Sequence, residues 1–552
     1  MIDPSTRRPR AGWILCGILA AGAVLRLYSY IANPSFSVDD AMLTVNVASR
    51  SFLGLLHPLA LEQTAAPLFL WLLKLSSLIA GIREPALRAV PLLAGLALPY
   101  FMWRLASRVV GTGPALVAGA FAALSPILVQ YSVSAKPYVL DALVTVWLID
   151  LTLGAIDHPR HFGAWAALTV GGVLGILLSS PSVFVLAGCG AGLLASSAVR
   201  SSDGWMTRAG IAGAVWVGTF VLVYLGITRA EAGSAYMQAF WDAKILDLGS
   251  YLRPVHAWDI LARVTVQPFV PDRPMDWFPP VTWLATIWGL WALRSDRARL
   301  ACVAGPLLAL LAASAVHRYP IAPRVCVFAA PIFFLIYAKT LDDILQRWPR
   351  PRVRLIAAVV VALWVVTLGV LSLNTRFWAP PTRQLVAAFR ARAQPHDPVY
   401  LFAGIVPFWL VYATDWSHPD TAFLNAAIAT QSAAGNAFHN AASRGHAVAD
   451  TEGAGLAFTT GGRVELIGLA PGIQWREGHG FSQPFPDANW GEREAARMRA
   501  AASPAIWVAL SHLYSGERGA LTRALELAGG RRDSVWEKGD AVLQRYRFGG
   551  GP

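Results

Sequence analysis

The chain has 552 residues, of which 55% are hydrophobic and only 14% charged, with a mean hydropathy of +0.47. Soluble domains carry roughly a quarter charged residues, so the composition excludes an ordinary soluble protein and indicates an integral membrane protein. The formal net charge of +13 invites a nucleic-acid partner, but the positive residues sit in short clusters between apolar runs, which is how membrane topology is written.

The N-terminus has the basic flank of a signal peptide, Arg7, Arg8 and Arg10. Its apolar part runs on to Tyr30 without a small-residue cleavage site, so it reads as a retained first span. A helix needs about 20 apolar residues to cross a bilayer core. Candidate spans are 12–31, 86–104, 113–130, 139–156, 162–179, 182–199, 209–228, 281–294, 300–316, 322–340 and 355–373. A twelfth apolar run, 67–81, is short and carries Lys74. If it does not cross, Arg104/Arg108, Arg160, Arg200/Arg208, Arg294/Arg297/Arg299 and Arg347/Arg350/Arg352/Arg354 all fall on the cytoplasmic side. If it crosses, every one of these clusters moves outside. The positive-inside bias therefore assigns 67–81 to the outer interface, and eleven spans remain.

The outer face then carries a first loop (32–85), the stretch 130–142, a long loop (229–280) and "HRYPIAPR" (317–324). In the first loop, "PSFSVDDAML" puts Asp39 and Asp40 side by side just outside the membrane. Neighbouring residues on a helix point about 100° apart, so only one acid can aim at a given site. Asp39 lies where it either caps a helix carrying Met42, Val45, Ser49 and Phe52 on one face or serves a site. Lys136, Tyr138 and Asp141 stand at the entrance of one span. Lys136 either binds a phosphate or pairs with Asp141 while snorkelling. His317, Arg318 and Arg324 form a second basic point, and Arg324, heading an apolar run, reads as functional. Trp241, Trp258, Trp277 and Phe278 of the long loop either cover the site or anchor at headgroup level.

All four cysteines, Cys16, Cys189, Cys302 and Cys326, fall in apolar segments and read as small buried hydrophobes. From about residue 375 the composition becomes that of a soluble domain. Residues 382–404 read as an amphipathic helix, a turn and a strand, "AIWVALSH" as a strand, "GERGALTRALELAGG" as a helix closed by glycine, and "AVLQRYRF" as a final strand. The expected architecture is an α-helical polytopic membrane domain (1–374), with about 11 transmembrane helices plus juxtamembrane helices, followed by an outer α/β domain (375–552).

The acidic pair after the first span, "LEQTAAPLFLWLLKL", "EPALRAVPLLAGLALPYFMWRLASRVVG", "LSPILVQYSVSAKPYVLDALVTVWLI" and "YPIAPRVCVFAAPIFFLIYA" resemble bacterial GT-C membrane glycosyltransferases. The resemblance covers residues 10–375 and is to the group related to protein O-mannosyltransferases and the lipid A aminoarabinose transferase. It implies transfer of a sugar from a polyprenyl phosphate to an acceptor hydroxyl on a glycan, lipid or protein at the periplasmic face of the inner membrane. The family's Asp-Glu pair matches Asp39, the base, and Asp40, here a shorter acid. Where aminoarabinose transferases have a phosphate-binding Lys, this chain has Gln63 and Thr64. The resemblance thus shifts phosphate binding to Lys136 and Arg324, with Arg88, Tyr138, Asp141 and His317 as further substrate contacts. It implies inline displacement with inversion; neither a cofactor nor an essential metal is expected, the alternative being a divalent metal held by the adjacent Asp39–Asp40 pair. The rivals are a transporter or lipid flippase, which would place polar groups at mid-membrane, and an assembly subunit that kept the fold without the chemistry.

Overall fold

The computed structural model describes residues 7–229, 235–247, 249, 254–266, 278–374, 379–419, 421, 424, 425, 428, 457–460, 463–468, 473–476, 480–484, 489–502, 504–513 and 516–549. Each expected span has a helix. They are α1 (Arg7–Ala32), α4 (Glu84–Ser107), α5 (Thr112–Leu124) with α6 (Pro126–Tyr131), α7 (Tyr138–Asp157), α8 (Phe162–Leu178), α9 (Ser182–Ala195), α11 (Trp205–Val223), α14 (Phe278–Leu293), α15 (Arg297–Ala315), α16 (Ala330–Arg347) and α17 (Pro351–Asn374). Between them lie α2 (Val38–Ser49), α3 (Pro67–Ala80), α10 (Ser197–Arg200), α12 (Ala235–Trp241) and α13 (Pro254–Val266). Among the described residues, six helices are long and apolar enough to cross a membrane, and the chain is a multi-pass membrane protein.

Two expected spans are altered by proline. The run 113–130 breaks at Ser125, because Pro126 has no N–H to continue the ladder. The break leaves carbonyls of the last turn of α5 without helical partners. Arg26, fully buried in α1, donates to two of them, Ala123 O at 2.6 Å and Ala122 O at 3.0 Å, and to Ser132 Oγ at 3.1 Å. A charge inside a membrane domain is tolerated when it faces such partners. Gly95 of α4 allows the same junction, since a Cβ there would meet Ser132 Oγ at 2.1 Å. This joint fixes the segment 132–137 that enters the site. The second alteration is at 322–340, where the helix begins only at Ala330 after a short 3-10 turn. Pro320 and Pro323 disfavour helix over the residues before them, so Arg324 sits on a turn and not at a helix mouth.

α4 and α7 run parallel. Arg104 and Arg108 near the end of α4 pair with Asp150 of α7, and Arg108 also pairs with Asp157. The N-terminal ends of both helices therefore meet at the opposite end of the bundle. At about 1.5 Å per residue, the 14 residues of α3 fall short of a bilayer core of about 30 Å. Lys74 of α3 donates to the C-terminal carbonyls of α2, Val47 O at 2.9 Å and Ala48 O at 3.3 Å. Cys189, Cys302 and Cys326 are buried as expected, whereas Cys16 is exposed on the outer surface of α1.

Beyond α17 comes an α/β domain; the expected boundary at 374/375 borders residues 375–378, which lie outside the described set. It contains α18 (Thr382–Arg392), β1 (Val399–Leu401), α19 (Val406–Ala413), β2 (Ala457–Thr460), β3 (Arg463–Ile467), β4 (Ile473–Arg476), β5 (Gly480–Pro484), α20 (Trp490–Ala501), β6 (Ala505–Leu510), α21 (Glu517–Leu527), β7 (Gly530–Lys538) and β8 (Ala541–Phe548). Six strands form one sheet in the order β2-β3-β1-β6-β8-β7, with β1 parallel to both β3 and β6 and β8 antiparallel to its neighbours. β6 is buried on both faces. Trp507 and Ala509 face the core shared with α18 and α19, while Ile506, Val508 and Leu510 face that of α20 and α21. The first of these cores continues into the membrane domain, so the two parts pack as one body through α18 and α19.

Candidate active site

The site begins with a helix cap. Ser37 is the N-cap of α2, accepting the Asp40 N–H, while the Asp40 carboxylate accepts the Ser37 N–H, a capping box. The cap therefore belongs to Ser37 and Asp40, and of the two readings of Asp39 the capping one is not met. The buried residues of α2 also differ from expectation. Ala41, Leu43, Val45 and Val47 are buried while Ser49 is exposed, and Phe52 lies beyond the helix end, because α2 is packed between α3 and α19.

One step along the helix, Asp39 points elsewhere. Its Oδ2 accepts from Arg324 Nη1 at 2.6 Å, with both side chains about one-third exposed (33% and 31%) and so open to a ligand. The Arg324 guanidinium also lies 4.9 Å from the Trp241 ring centroid and 5.5 Å from that of Phe240, within cation–π range. Trp241 thus meets the site through Arg324; Trp258 packs against Trp283 with the two rings tilted 55°, and Trp277 lies outside the described residues.

Asp40 is fully buried and takes the Ser134 hydroxyl at 2.7 Å. Burial pushes its carboxyl above the ordinary range, while Arg88, Ser134 and Lys136 pull the other way. Two residues after Ser134, the buried Lys136 ammonium donates to Gln63 Oε1 at 2.5 Å. Burial pushes Lys136 below the usual lysine range, opposed by the charges of Asp39 and Asp40. Lys136 is thus not a snorkelling partner of Asp141. Gln63 is itself held, its amide donating to Leu61 O at 3.0 Å.

Asp39, Asp40, Lys136, Arg324 and Gln63 are therefore brought together. Tyr138 joins them at the first turn of α7, its ring 4.7 Å from that of Tyr131 and within the field of Arg324 and Asp39. Asp141 lies a turn deeper in α7, 5% exposed, with an Oδ1 that has no hydrogen-bond partner among the described residues. Arg88 plays a different part. Fully buried, it donates to Pro34 O at 2.7 Å and Ser35 O at 3.0 Å, holding the strap that leads into α2. His317 stands apart, largely exposed, with Nε2 3.9 Å from Asp247 Oδ2.

Several contributors were not anticipated. Ser134 carries no motif of its own, although the Ser37–Asp40 spacing is a legible capping-box signal. The outer domain docks beside the site through Glu84 at the start of α4. Glu84 Oε1 accepts from Arg383 Nη1 at 2.8 Å and from the Tyr412 hydroxyl at 2.7 Å. The same hydroxyl accepts the Phe36 N–H at 2.8 Å, and the Tyr412 and Phe36 rings stack at 6.0 Å.

An acid beside cations thus stands at one end of a helical membrane bundle. Residues 63–224 match the family model described as dolichyl-phosphate-mannose-protein mannosyltransferase. Among solved structures, ArnT from Cupriavidus metallidurans in the apo state is 14% identical, covering 74% of this chain and 85% of that one with a TM-score of 0.47. The same protein bound to undecaprenyl phosphate is 15% identical over the same shares, with a TM-score of 0.49. No curated protein sequence matches the chain.

Proposed function

We propose that the protein transfers a sugar from a polyprenyl-phosphate donor to an acceptor hydroxyl at the periplasmic face of the inner membrane, with inversion. In this reading the N-terminus is cytoplasmic, residues 67–81 lie at the outer interface and the α/β domain is periplasmic. The observation that carries it is the meeting of the Asp39 carboxylate with Arg324 and Lys136 where α4 and α7 begin. The N-terminal ends of helices favour anions, and Arg324 and Lys136 add full charges for a phosphate.

Asp39 is the base. The acceptor oxygen attacks the anomeric carbon, its proton passes to the Asp39 carboxylate, and the bond from that carbon to the donor phosphate oxygen breaks with its electron pair. Arg324 and Lys136 stabilise the lipid phosphate that leaves. For a donor phosphate to engage Arg324, the guanidinium must share or leave the Asp39 carboxylate, so donor binding also releases the base. Tyr138 and Asp141 line the way inward as sugar contacts, and Gln63 holds Lys136.

No metal enters this proposal. The two adjacent carboxylates diverge, Asp39 to Arg324 and Asp40 to Ser134 and Ser37, so they do not present a joint oxygen set. The grouping of charges at one end of the bundle supports a transferase over a transporter. Membranes carrying the wild type or Asp39→Ala, given labelled polyprenyl-phosphate sugars and hydroxyl acceptors, test the reading. Transfer by the wild type and its loss in Asp39→Ala are expected; undiminished transfer by the variant removes Asp39 as base.

A further inference from the structure

In the outer domain, β1 lies between β3 and β6 and is parallel to both. The chain passes from β1 to β3 on one side and then to β6 on the other. Open α/β sheets bind ligands at the carboxyl ends of strands where the order reverses in this way. Here the loops leaving β1 and β6 flank that point, and they touch. A Cβ on Gly404 would meet Ser511 O at 2.6 Å and His512 Cβ at 3.1 Å, so glycine is what lets them close.

The β1 loop runs straight into α19, and α19 packs on α2, the helix that carries Asp39. This edge of the sheet therefore faces the membrane-domain site. His512 is half-buried there, with φ of 57°, a left-handed conformation uncommon for residues other than glycine. Its N–H is held by Asp540 Oδ2 at 3.3 Å. Next to it, Ser511 is fully buried and its Oγ has no hydrogen-bond partner among the described residues. Strained backbone kept in place by its neighbours is characteristic of functional loops.

Resting on the transferase reading, we infer that the loop after β6 is the acceptor wall of the active site. The His512 imidazole hydrogen-bonds the hydroxyl-bearing acceptor and holds it beside Asp39. Burial pushes this imidazole below the ordinary histidine range, while Asp540 and Asp39 act against it; the favoured form is neutral, with one donor and one acceptor nitrogen. His512 is thus a positioning residue, and it would make the outer domain part of the reaction chamber.

The test uses the full-length protein in detergent with labelled polyprenyl-phosphate sugar. Lipid A is the acceptor probe in one arm and a serine- and threonine-containing peptide in the other. His512→Ala should raise the acceptor KM by about tenfold, the worth of one hydrogen bond to a polar partner, with the donor KM moved less than about twofold. His512→Gln, which keeps a donor and an acceptor, should recover most of the difference. Equal acceptor KM in wild type and His512→Ala overturns the inference. So does a parallel rise of both KM values that His512→Gln does not relieve, which marks a structural role only. Absence of wild-type transfer in both arms overturns the transferase reading, and the inference falls with it.

Discussion

The Asp39 carboxylate and the Arg324 guanidinium stand 2.6 Å apart although 285 positions separate them in the chain. A carboxylate in that contact is shielded as a base, because the guanidinium occupies lone pairs that must take the acceptor proton. Arg324→Gln should therefore weaken donor binding and leave Asp39 uncovered. The donor KM is expected to rise by about tenfold or more, the scale of a charge-assisted hydrogen bond of roughly 1.5–3 kcal/mol, with a smaller change in kcat. Steady-state kinetics with varied donor checks the split. A fall in kcat with an unchanged donor KM would mean that Arg324 meets the phosphate only as charge develops in the transition state; no change in either would place Arg324 away from the donor phosphate.

Asp39→Asn keeps the size of the side chain and removes the base. Transfer should fall by about 10²–10⁴-fold, the usual contribution of a positioned general base. Donor binding, followed by protection of the purified protein against thermal unfolding, should persist.

Lys136 makes the pH dependence specific. Burial pushes it below the ordinary 10.5, so it is protonated below that lowered pKa and neutral above it. Donor affinity is expected to be present on the acid side and to decline as pH rises through a value under 10.5. Lys136→Arg should move this limb upward, because arginine stays charged. An unchanged alkaline limb in Lys136→Arg would detach Lys136 from the phosphate.

Asp40 is a stability residue with a catalytic neighbour. Asp40→Ala removes the capping-box carboxylate and leaves the buried Ser134 hydroxyl without its partner. The cost should be about 1–3 kcal/mol, combining a lost cap with an unpaired buried group. Asp40→Asn, which keeps an acceptor oxygen, should lose less, and thermal melting of the two variants should rank them in that order.

The outer domain should loosen when its latch is cut. Arg383→Ala leaves the buried Glu84 with Tyr412 alone. Limited proteolysis of the full chain is expected to cleave faster between α17 and α18, while the bundle stays intact. Equal cleavage rates would mean that the shared apolar core of α18 and α19 suffices to hold the domain.

Hydropathy made the bundle legible, because a bilayer demands long apolar helices with satisfied backbones. Charge clusters suggested which loops share a face; apolar runs located β1 and β6, a closing glycine α21, and alternation β8 of the outer domain. The misreadings have local causes. Pro126 and Pro320 with Pro323 shifted helix ends that apolar content alone had drawn too smoothly. Capping was the alternative reading of Asp39, because an acid at a helix start is chemically right for one, yet Ser37 and Asp40 close the cap between them. Arg88 was expected as a substrate contact, but nothing in its own neighbourhood announced that its guanidinium would donate to Pro34 and Ser35.

Properties carried by runs of residues, such as which segments form apolar helices and where the composition turns polar, are written in the order of amino acids. They follow from solvent preference, which acts segment by segment. Partnership is different. Arg324 chose Asp39, Ser134 chose Asp40, Gln63 holds Lys136, and Arg383 and Tyr412 found Glu84 only when helices far apart in the chain were packed together. Hydrogen bonds and ion pairs depend on distances of a few ångströms, and packing alone sets those distances.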